Sequence, residues 1–172
     1  AKKRQSIDQI LEVNRKLRKF NIITYYSFMS GFPTETDEDL KKTVQLMFKL
    51  LEENPNARVS PLYIYTPFPG TEMFDFVLEN GLVPPDTLDG WASYTYSDAN
   101  LSYMPDGEKE MLESLHLSSL FLDRKFKEYQ VSPLIRAFAK IYRPVARYRV
   151  RNMYFKFMIE KKLKEIFSKA IS

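Results

Sequence analysis

The pattern that most constrains the fold occurs twice between residues 21 and 82: an apolar segment, a Pro/Gly turn and then a helical segment. In the first copy, the expected strand covers residues 21–33 and the expected helix covers residues 34–53. In the second copy, the strand covers residues 58–70 and the helix covers residues 71–82. Consecutive units of this kind are typical of a parallel sheet with crossover helices. The sequence therefore predicts an α/β fold, with any ligand site at the carboxyl ends of the two strands.

The residues of the two turns suit a ligand site, but they also have a purely structural explanation. Gly31 allows a sharp bend or a close approach by a ligand, and Pro33 ends the strand because it has no N–H donor. Thr36 is expected to cap the following helix, and Thr71 repeats this arrangement after Gly70. Any α/β protein needs such turns and caps, so the spacing alone leaves both explanations open.

The two turns also resemble those of a known family. The segments FMSGFPTETDEDL (28–40) and YIYTPFPGTEMF (63–74) closely resemble the later part of the barrel in radical S-adenosylmethionine (SAM) enzymes. In that family a strand commonly ends in G-F-P-x-E-T, and a further strand ends in Y-x-P-x-P-G-T. The resemblance covers residues 1–90. It is strongest to the branch with an upstream cobalamin-binding domain, the relatives of the anaerobic magnesium-protoporphyrin monomethyl ester cyclase.

This resemblance implies an architecture and a reaction. Residues 1–90 would be the last βα units of a partial (β/α) barrel, residues 91–130 an aromatic loop and an amphipathic helix, and residues 131–172 a basic helical extension. The full-length enzyme would cleave SAM at a reduced [4Fe–4S] cluster to begin radical chemistry on an unactivated carbon. A tetrapyrrole or a methylation substrate would fit. SAM, the cluster and, for this branch, cobalamin are the implied cofactors.

The resemblance also assigns six cofactor-binding residues. Ser27 would lie near the ribose of SAM, at a position where some relatives have another polar or an acidic residue. Met29 would lie against the adenine, and Gly31 would permit that approach. The end of the second strand would supply Tyr65, Thr66 and Pro67.

No catalytic or metal-binding residue is predicted within this chain. Glu35 and Glu72 are interpreted as carboxylates at helix starts, and the single histidine, His116, is assigned no role. The family's C-x-x-x-C-x-x-C motif lies upstream of these strands, and the chain contains no cysteine, so thiolates for a cluster are lacking. We therefore expect a C-terminal piece of a longer enzyme that is inactive by itself. Its expected partners are a small-molecule substrate, the upstream part of the same chain, and a second copy at an exposed sheet edge.

Residues 83–129 are predicted to form an irregular aromatic segment followed by a helix. The segment 83–107 contains Trp91, Tyr94, Tyr96 and Tyr103. These aromatic residues would either line a pocket for a large flat substrate, cover the open edge of the barrel, or fasten the loop to the core. Residues 108–129 have the apolar spacing of one long amphipathic helix.

The end of the chain is strongly basic, with 14 Lys and Arg against 4 Asp and Glu over residues 123–172. Two helices meeting near Pro144 are expected here. They would form a solvated helical cap, contact an anionic membrane surface through residues 134–169, or bind another partner; nucleic acid is not expected. A cytoplasmic protein is predicted, with or without this peripheral contact. A non-catalytic α/β module that docks through its basic helices is the alternative to the enzyme.

Overall fold

The computed structural model describes residues 5–94 and 102–156, which form a mixed α/β structure. Its elements, in chain order, are α1 (Ile7–Leu17), β1 (Thr24–Ser30), α2 (Asp37–Glu53), β2 (Ala57–Ile64), α3 (Glu72–Glu79), α4 (Leu88–Ser93), α5 (Asp106–Ser119), a short 3-10 turn (Lys125–Lys127) and α6 (Pro133–Arg151). Tyr96 and residues 157–169 of the basic extension lie outside the described residues. No helix in the described part of the chain has the length and apolarity needed to cross a membrane.

The two strands pair in parallel, as the sequence predicted, with α2 as the connection between them. The expected local chemistry occurs at the start of α2 and at the end of α3, but the cap expected from Thr71 is wrong, because its hydroxyl donates to the Phe68 carbonyl and caps no N–H of α3. Thr36 accepts a hydrogen bond from the N–H of Asp39, whose side chain bonds back to the Thr36 N–H, so two donors at the start of α2 are satisfied. Gly81 follows α3 with a φ of +98°, the conformation that ends helices and favours glycine.

The ladder between the strands contains one bulge. Tyr26 is paired with Val59, but Phe28 is paired with Leu62, so β2 carries an extra residue at Ser60 and Pro61. Pro61 has no N–H, and the Ser60 hydroxyl accepts the Phe28 N–H at 2.9 Å. The bulge therefore lets β2 include a proline while the Phe28 N–H of β1 keeps a hydrogen-bond acceptor.

One face of the sheet packs into the main core. Val59 and Leu62 of β2 are buried against residues from α2, α5 and α6; the buried members from these helices include Leu40, Val44, Met47, Phe48, Leu112, Leu115 and Val150. A buried polar residue, Asn14, joins α1 to this arrangement: its amide donates to the Leu50 carbonyl at 3.0 Å, and its carbonyl accepts from the Tyr26 hydroxyl at 3.0 Å. Helix α1 is thus fixed to both α2 and β1.

Two helix predictions at the C-terminal side are wrong in their extent. The helix expected over residues 108–129 ends at Ser119. Its apolar spacing continues beyond that point, but the side chains of Ser119 and Asp123 bond to the backbone of β2 and not within a helix. These long-range contacts outweigh the local helical pattern.

The break expected near Pro144 does not occur, because α6 runs without interruption from Pro133 to Arg151. Pro144 lies on the exposed side of α6, where water can bond the carbonyl that proline leaves unpaired. The buried residues Tyr142 and Ala146 flank it on the opposite side. Packing of these two residues, one before and one after Pro144 in the sequence, keeps the helix continuous.

Candidate functional site

The carboxyl ends of β1 and β2 lie side by side. The Tyr65 N–H donates to the Ser30 carbonyl at 2.7 Å, which extends the ladder just past β2. Gly31 then turns the chain with a φ of +82°. Its N–H donates to the Glu35 carboxylate at 2.6 Å, and the Ser30 hydroxyl donates to the same oxygen. Glu35 lies outside α2 and closes the end of β1, so its interpretation as a helix-start carboxylate is wrong; Glu72 does begin α3.

Ser27 and Met29 lie on the face of the sheet opposite the core. Burial alternates along β1, with Tyr25, Ser27 and Met29 exposed between less exposed neighbours. Met29 is paired with Tyr63 of β2 and is 46% exposed. The two side chains therefore share an accessible, largely apolar surface with the Ser27 hydroxyl beside it. We call this surface, formed by Ser27, Met29 and Tyr63, the open face.

The other predicted site residues lie at the rim of this face or beneath it. The Tyr65 ring is half-buried and stacks on Phe32 with the ring centroids 4.8 Å apart. Thr66 and Pro67 are buried. The Thr66 hydroxyl has no hydrogen-bond partner among the described residues. The structure thus exposes Ser27 in the middle of β1 and Met29 near its end, half-buries Tyr65 and buries Thr66 and Pro67.

Protein side chains occupy the space next to Gly31. A Cβ at this position would lie 3.1 Å from atoms of both Leu112 and Met104. The Tyr103 hydroxyl donates to the Gly31 carbonyl at 3.4 Å, and burial raises the pKa of Tyr103 well above its ordinary value. On this side of Gly31, the close neighbours are therefore side chains of the protein itself and not a ligand.

The described aromatic residues of the segment 83–107 fasten it to the strand ends. The Tyr94 hydroxyl donates to the Pro67 carbonyl at 2.9 Å, and burial raises the pKa of this hydroxyl. Trp91 packs on Phe74 of α3 and on Tyr94. These contacts favour the explanation in which the aromatic residues hold the segment in place.

The outer edge of β2 is bonded by side chains. The Val59 N–H donates to the Asp123 carboxylate and the Leu62 N–H donates to the Ser119 hydroxyl, each at 2.8 Å. His116 Nδ1 lies 2.9 Å from the Leu62 carbonyl. None of these three residues was predicted from the sequence to contact β2. The polar positions within an apolar helical pattern were the available signal, but their partners lie more than fifty positions away in the sequence.

The outer edge of β1 is open. Thr24 and Ser30 bond toward β2, and alternate residues of a strand bond to opposite sides, so the N–H and C=O groups of Tyr25, Ser27 and Met29 point away from it. No strand pairs with this edge in the described part of the chain. A cleft of about 850 Å³ lies beside it, walled by α1 and α2 through residues that include Ile10, Val13, Leu46 and Leu50.

The amino end of the open face is closed by charged groups. Arg58, which is 7% exposed, donates through Nε to the Glu128 carboxylate at 2.8 Å. The Tyr25 hydroxyl donates to the same carboxylate at 3.1 Å. Burial and this carboxylate raise the pKa of Tyr25 to about 12. Nearby, Lys125 is buried 3.6 Å from Asp123, and burial lowers the pKa of its ammonium group. These groups lie at the amino end of the strands, the end that usually serves stability.

The residues fit one of the implied cofactors in part and do not fit another. The chain has no cysteine, and the described residues contain no cluster of His, Asp and Glu suited to a metal ion, so the donor set for a [4Fe–4S] cluster is lacking. The open face, in contrast, offers a thioether, a phenol ring and a hydroxyl within one strand pair. Such a surface can accept the flat base and polar sugar of a nucleoside.

Comparison with known proteins found one partial relative. The chain is 31% identical over 94 residues to an uncharacterized methyltransferase of Pyrococcus horikoshii. The matched region covers 55% of this chain and 18% of that protein, so the chain spans less than a fifth of the relative's length. No family model and no solved structure matches the chain.

Proposed function

We propose that this chain is the part of a radical SAM enzyme that contacts the adenosyl group of SAM, and that the enzyme transfers a methyl group. One observation carries the proposal: two parallel strands end side by side, and an accessible face beside those ends presents Ser27, Met29 and Tyr63. Ligands of parallel α/β folds bind at the carboxyl ends of the strands. The methyltransferase name of the partial relative supports methyl transfer among the reactions of this family.

Each residue has a defined part in this proposal. Met29 and Tyr63 provide apolar contact for the adenine, and the Ser27 hydroxyl bonds the ribose. Tyr65 and Phe32, stacked at the rim, limit how far the base extends past the strand ends. SAM, when bound, supplies the methyl group or the deoxyadenosyl group. The [4Fe–4S] cluster must be held by residues other than those of this chain, because the chain has no cysteine thiolates.

The open edge of β1 supports a barrel that continues beyond the two strands. An unpaired edge presents unbonded N–H and C=O groups that a further strand can satisfy. The adjacent cleft is lined by Ile10, Val13, Leu46 and Leu50 together with polar residues of α1 such as Gln9 and Lys16, so part of its wall could pack against another strand. We propose that residues upstream of the present chain fill it, and that a second copy takes this place when they are absent.

Nucleoside binding tests the proposal directly. Saturation-transfer NMR with S-adenosylhomocysteine should show transfer from the 172-residue protein to the adenine protons. Met29→Lys should abolish this transfer, because it places a charge in the adenine contact. Met29 is 46% exposed, so the substitution should leave the fold unchanged, as circular dichroism would verify.

Val83→Lys is the matched control, since Val83 is an exposed apolar residue outside the open face. It should retain the transfer seen with the unsubstituted protein. Absence of transfer to the unsubstituted protein, or equal transfer to the Met29 variant, would contradict the proposed site.

A further inference from the structure

Helix α6 has two apolar sides, and among residues 5–94 and 102–156 only one of them has packing partners. The inner side buries Ala139, Tyr142, Ala146 and Val150. The outer side carries Leu134, Ile141 and Tyr148, which are 76%, 76% and 65% exposed. Their spacing of seven residues places them in one row along the helix. Val145, at 45% exposure, lies in the same row. We call these four residues the outer stripe.

The charges of α6 are all of one sign. Its sequence, PLIRAFAKIYRPVARYRVR, has six basic residues and no acidic residue. Helical spacing places Arg136 and Lys140 on the border of the outer stripe, and Arg147 and Arg151 continue this row but extend over the Phe48 ring of α2. Arg147 and Arg151 both reach the Glu52 carboxylate of α2. Two cations share that single anion, so the border keeps a net positive charge.

We propose that the outer stripe of α6 docks on an anionic membrane surface. An apolar row bordered by Lys and Arg is the arrangement by which a helix lies in the plane of a lipid interface. The apolar side chains would enter the acyl boundary, and the basic border would meet the negatively charged headgroups. This interaction is independent of the nucleoside site at the strand ends.

The charge pattern favours lipid over the other occupants of such a face. Two copies packed through this stripe would bring basic borders of like charge together. A nucleic acid would engage the basic border but would gain nothing from the exposed Leu134 and Ile141 side chains. An anionic bilayer satisfies both features, since it offers hydrocarbon beneath a negative surface.

Vesicle flotation tests the docking surface. The 172-residue protein should bind vesicles of phosphatidylcholine with about 30% phosphatidylglycerol, and binding should persist at about 0.15 M salt because insertion of the stripe does not depend on charge alone. Vesicles of pure phosphatidylcholine should bind much less. The double variant Ile141→Ser with Tyr148→Ser should bind the anionic vesicles about tenfold more weakly.

Val83→Ser combined with Leu88→Ser provides the matched control, because both side chains are exposed and lie outside α6; it should bind as the unsubstituted protein does. Lys140→Gln with Arg136→Gln should weaken binding to anionic vesicles only. Failure to bind anionic vesicles would overturn the proposal. Binding that is lost at 0.15 M salt and insensitive to the Ile141 and Tyr148 changes would instead assign a polyanion surface. Self-association without vesicles, removed by the same double variant, would assign the stripe to a second copy.

Discussion

The two strands present one edge to each other, and their remaining edges differ. Along β2, Asp123 and Ser119 accept the N–H groups of Val59 and Leu62. Along β1, the corresponding groups of Tyr25, Ser27 and Met29 point toward a cleft. Unpaired backbone groups are costly when buried but are tolerated where water or another strand can reach them. The difference indicates that the sheet is finished at β2 and can still be extended at β1.

The largest effect is expected when the bonded edge of β2 loses its carboxylate. Asp123 accepts the N–H groups of Val59 and Lys125 and is the acidic partner of the buried Lys125 ammonium. Asp123→Ala should lower the free energy of unfolding by about 3–5 kcal/mol, because it leaves an uncompensated buried cation. Urea denaturation followed by circular dichroism measures the loss.

Replacement of the buried cation, Lys125, should lower the free energy of unfolding less than replacement of Asp123. In Lys125→Met, the Asp123 carboxylate loses its cation but keeps both backbone donors, so a smaller loss of about 1–3 kcal/mol is expected. The lowered pKa of Lys125 also means that its burial penalty diminishes as the pH rises toward 10.5. Equal losses for the two variants would refute the assignment of Asp123 as the main support of this edge.

The next effect concerns the end of the open strand. Gly31 has a φ of +82°, and a Cβ there would lie 3.1 Å from side-chain atoms of Leu112 and Met104. Gly31→Ala should destabilise the protein by about 2–3 kcal/mol, from backbone strain and from overpacking together. Thermal unfolding measures this change.

Gly70 is a matched control for the strain alone. Its φ is +83°, but a Cβ there would meet nothing within 4 Å, so Gly70→Ala should cost about 1 kcal/mol. If both substitutions had the same effect, the packing of Met104 and Leu112 against Gly31 would not constrain the strand end.

A smaller loss is expected at the second support of the β2 edge. The Ser119 hydroxyl accepts the Leu62 N–H and donates to the His116 carbonyl at 2.7 Å. Ser119→Ala leaves a buried N–H unpaired and should cost about 1–2 kcal/mol in urea denaturation. Ser93→Ala, at a hydroxyl on the exposed part of α4, should change stability by less than about 0.5 kcal/mol. A neutral Ser119 variant would show that another group can satisfy Leu62.

The parts of the fold that local chemistry determines could be predicted from the sequence. The apolar segments and Pro/Gly turns indicated both strands and their parallel pairing, and Thr36 and Gly81 marked helix ends through chemistry within a few residues. The end of α5 at Ser119 could not be predicted in this way, because it depends on β2 backbone groups far away in the sequence. Pro144 was misinterpreted for a similar reason: packing of Tyr142 and Ala146 keeps α6 continuous.

The candidate site shows the same division. Alternation along β1 places Ser27 and Met29 on one face, and the resemblance named both residues. Which side chains cover the strand ends is a matter of tertiary structure. Tyr94 bonds the Pro67 carbonyl and Tyr103 bonds the Gly31 carbonyl, although their segment has no helical or strand periodicity in its sequence. Whether the six named residues bind a nucleoside stays a prediction for the NMR experiment.

The smallest effect is expected at the amino end of the open face, where the Tyr25 hydroxyl links β1 to the Arg58–Glu128 pair. Because the pKa of Tyr25 rises to about 12 from its ordinary value of 10.0, the folded state holds this proton more tightly than the unfolded state does. The bond therefore contributes fully below pH 10, and its contribution is lost between about pH 10 and 12. Tyr25→Phe should lower stability at neutral pH by only about 0.5 kcal/mol, since the side chain is half exposed. It should also reduce the decline of stability above pH 10, and an absorbance titration should lose one tyrosine that ionises near pH 12. If Tyr25→Phe left the titration near pH 12 unchanged, the Tyr25 hydroxyl would donate its hydrogen bond to water and not to Glu128, and it would not link β1 to the Arg58–Glu128 pair.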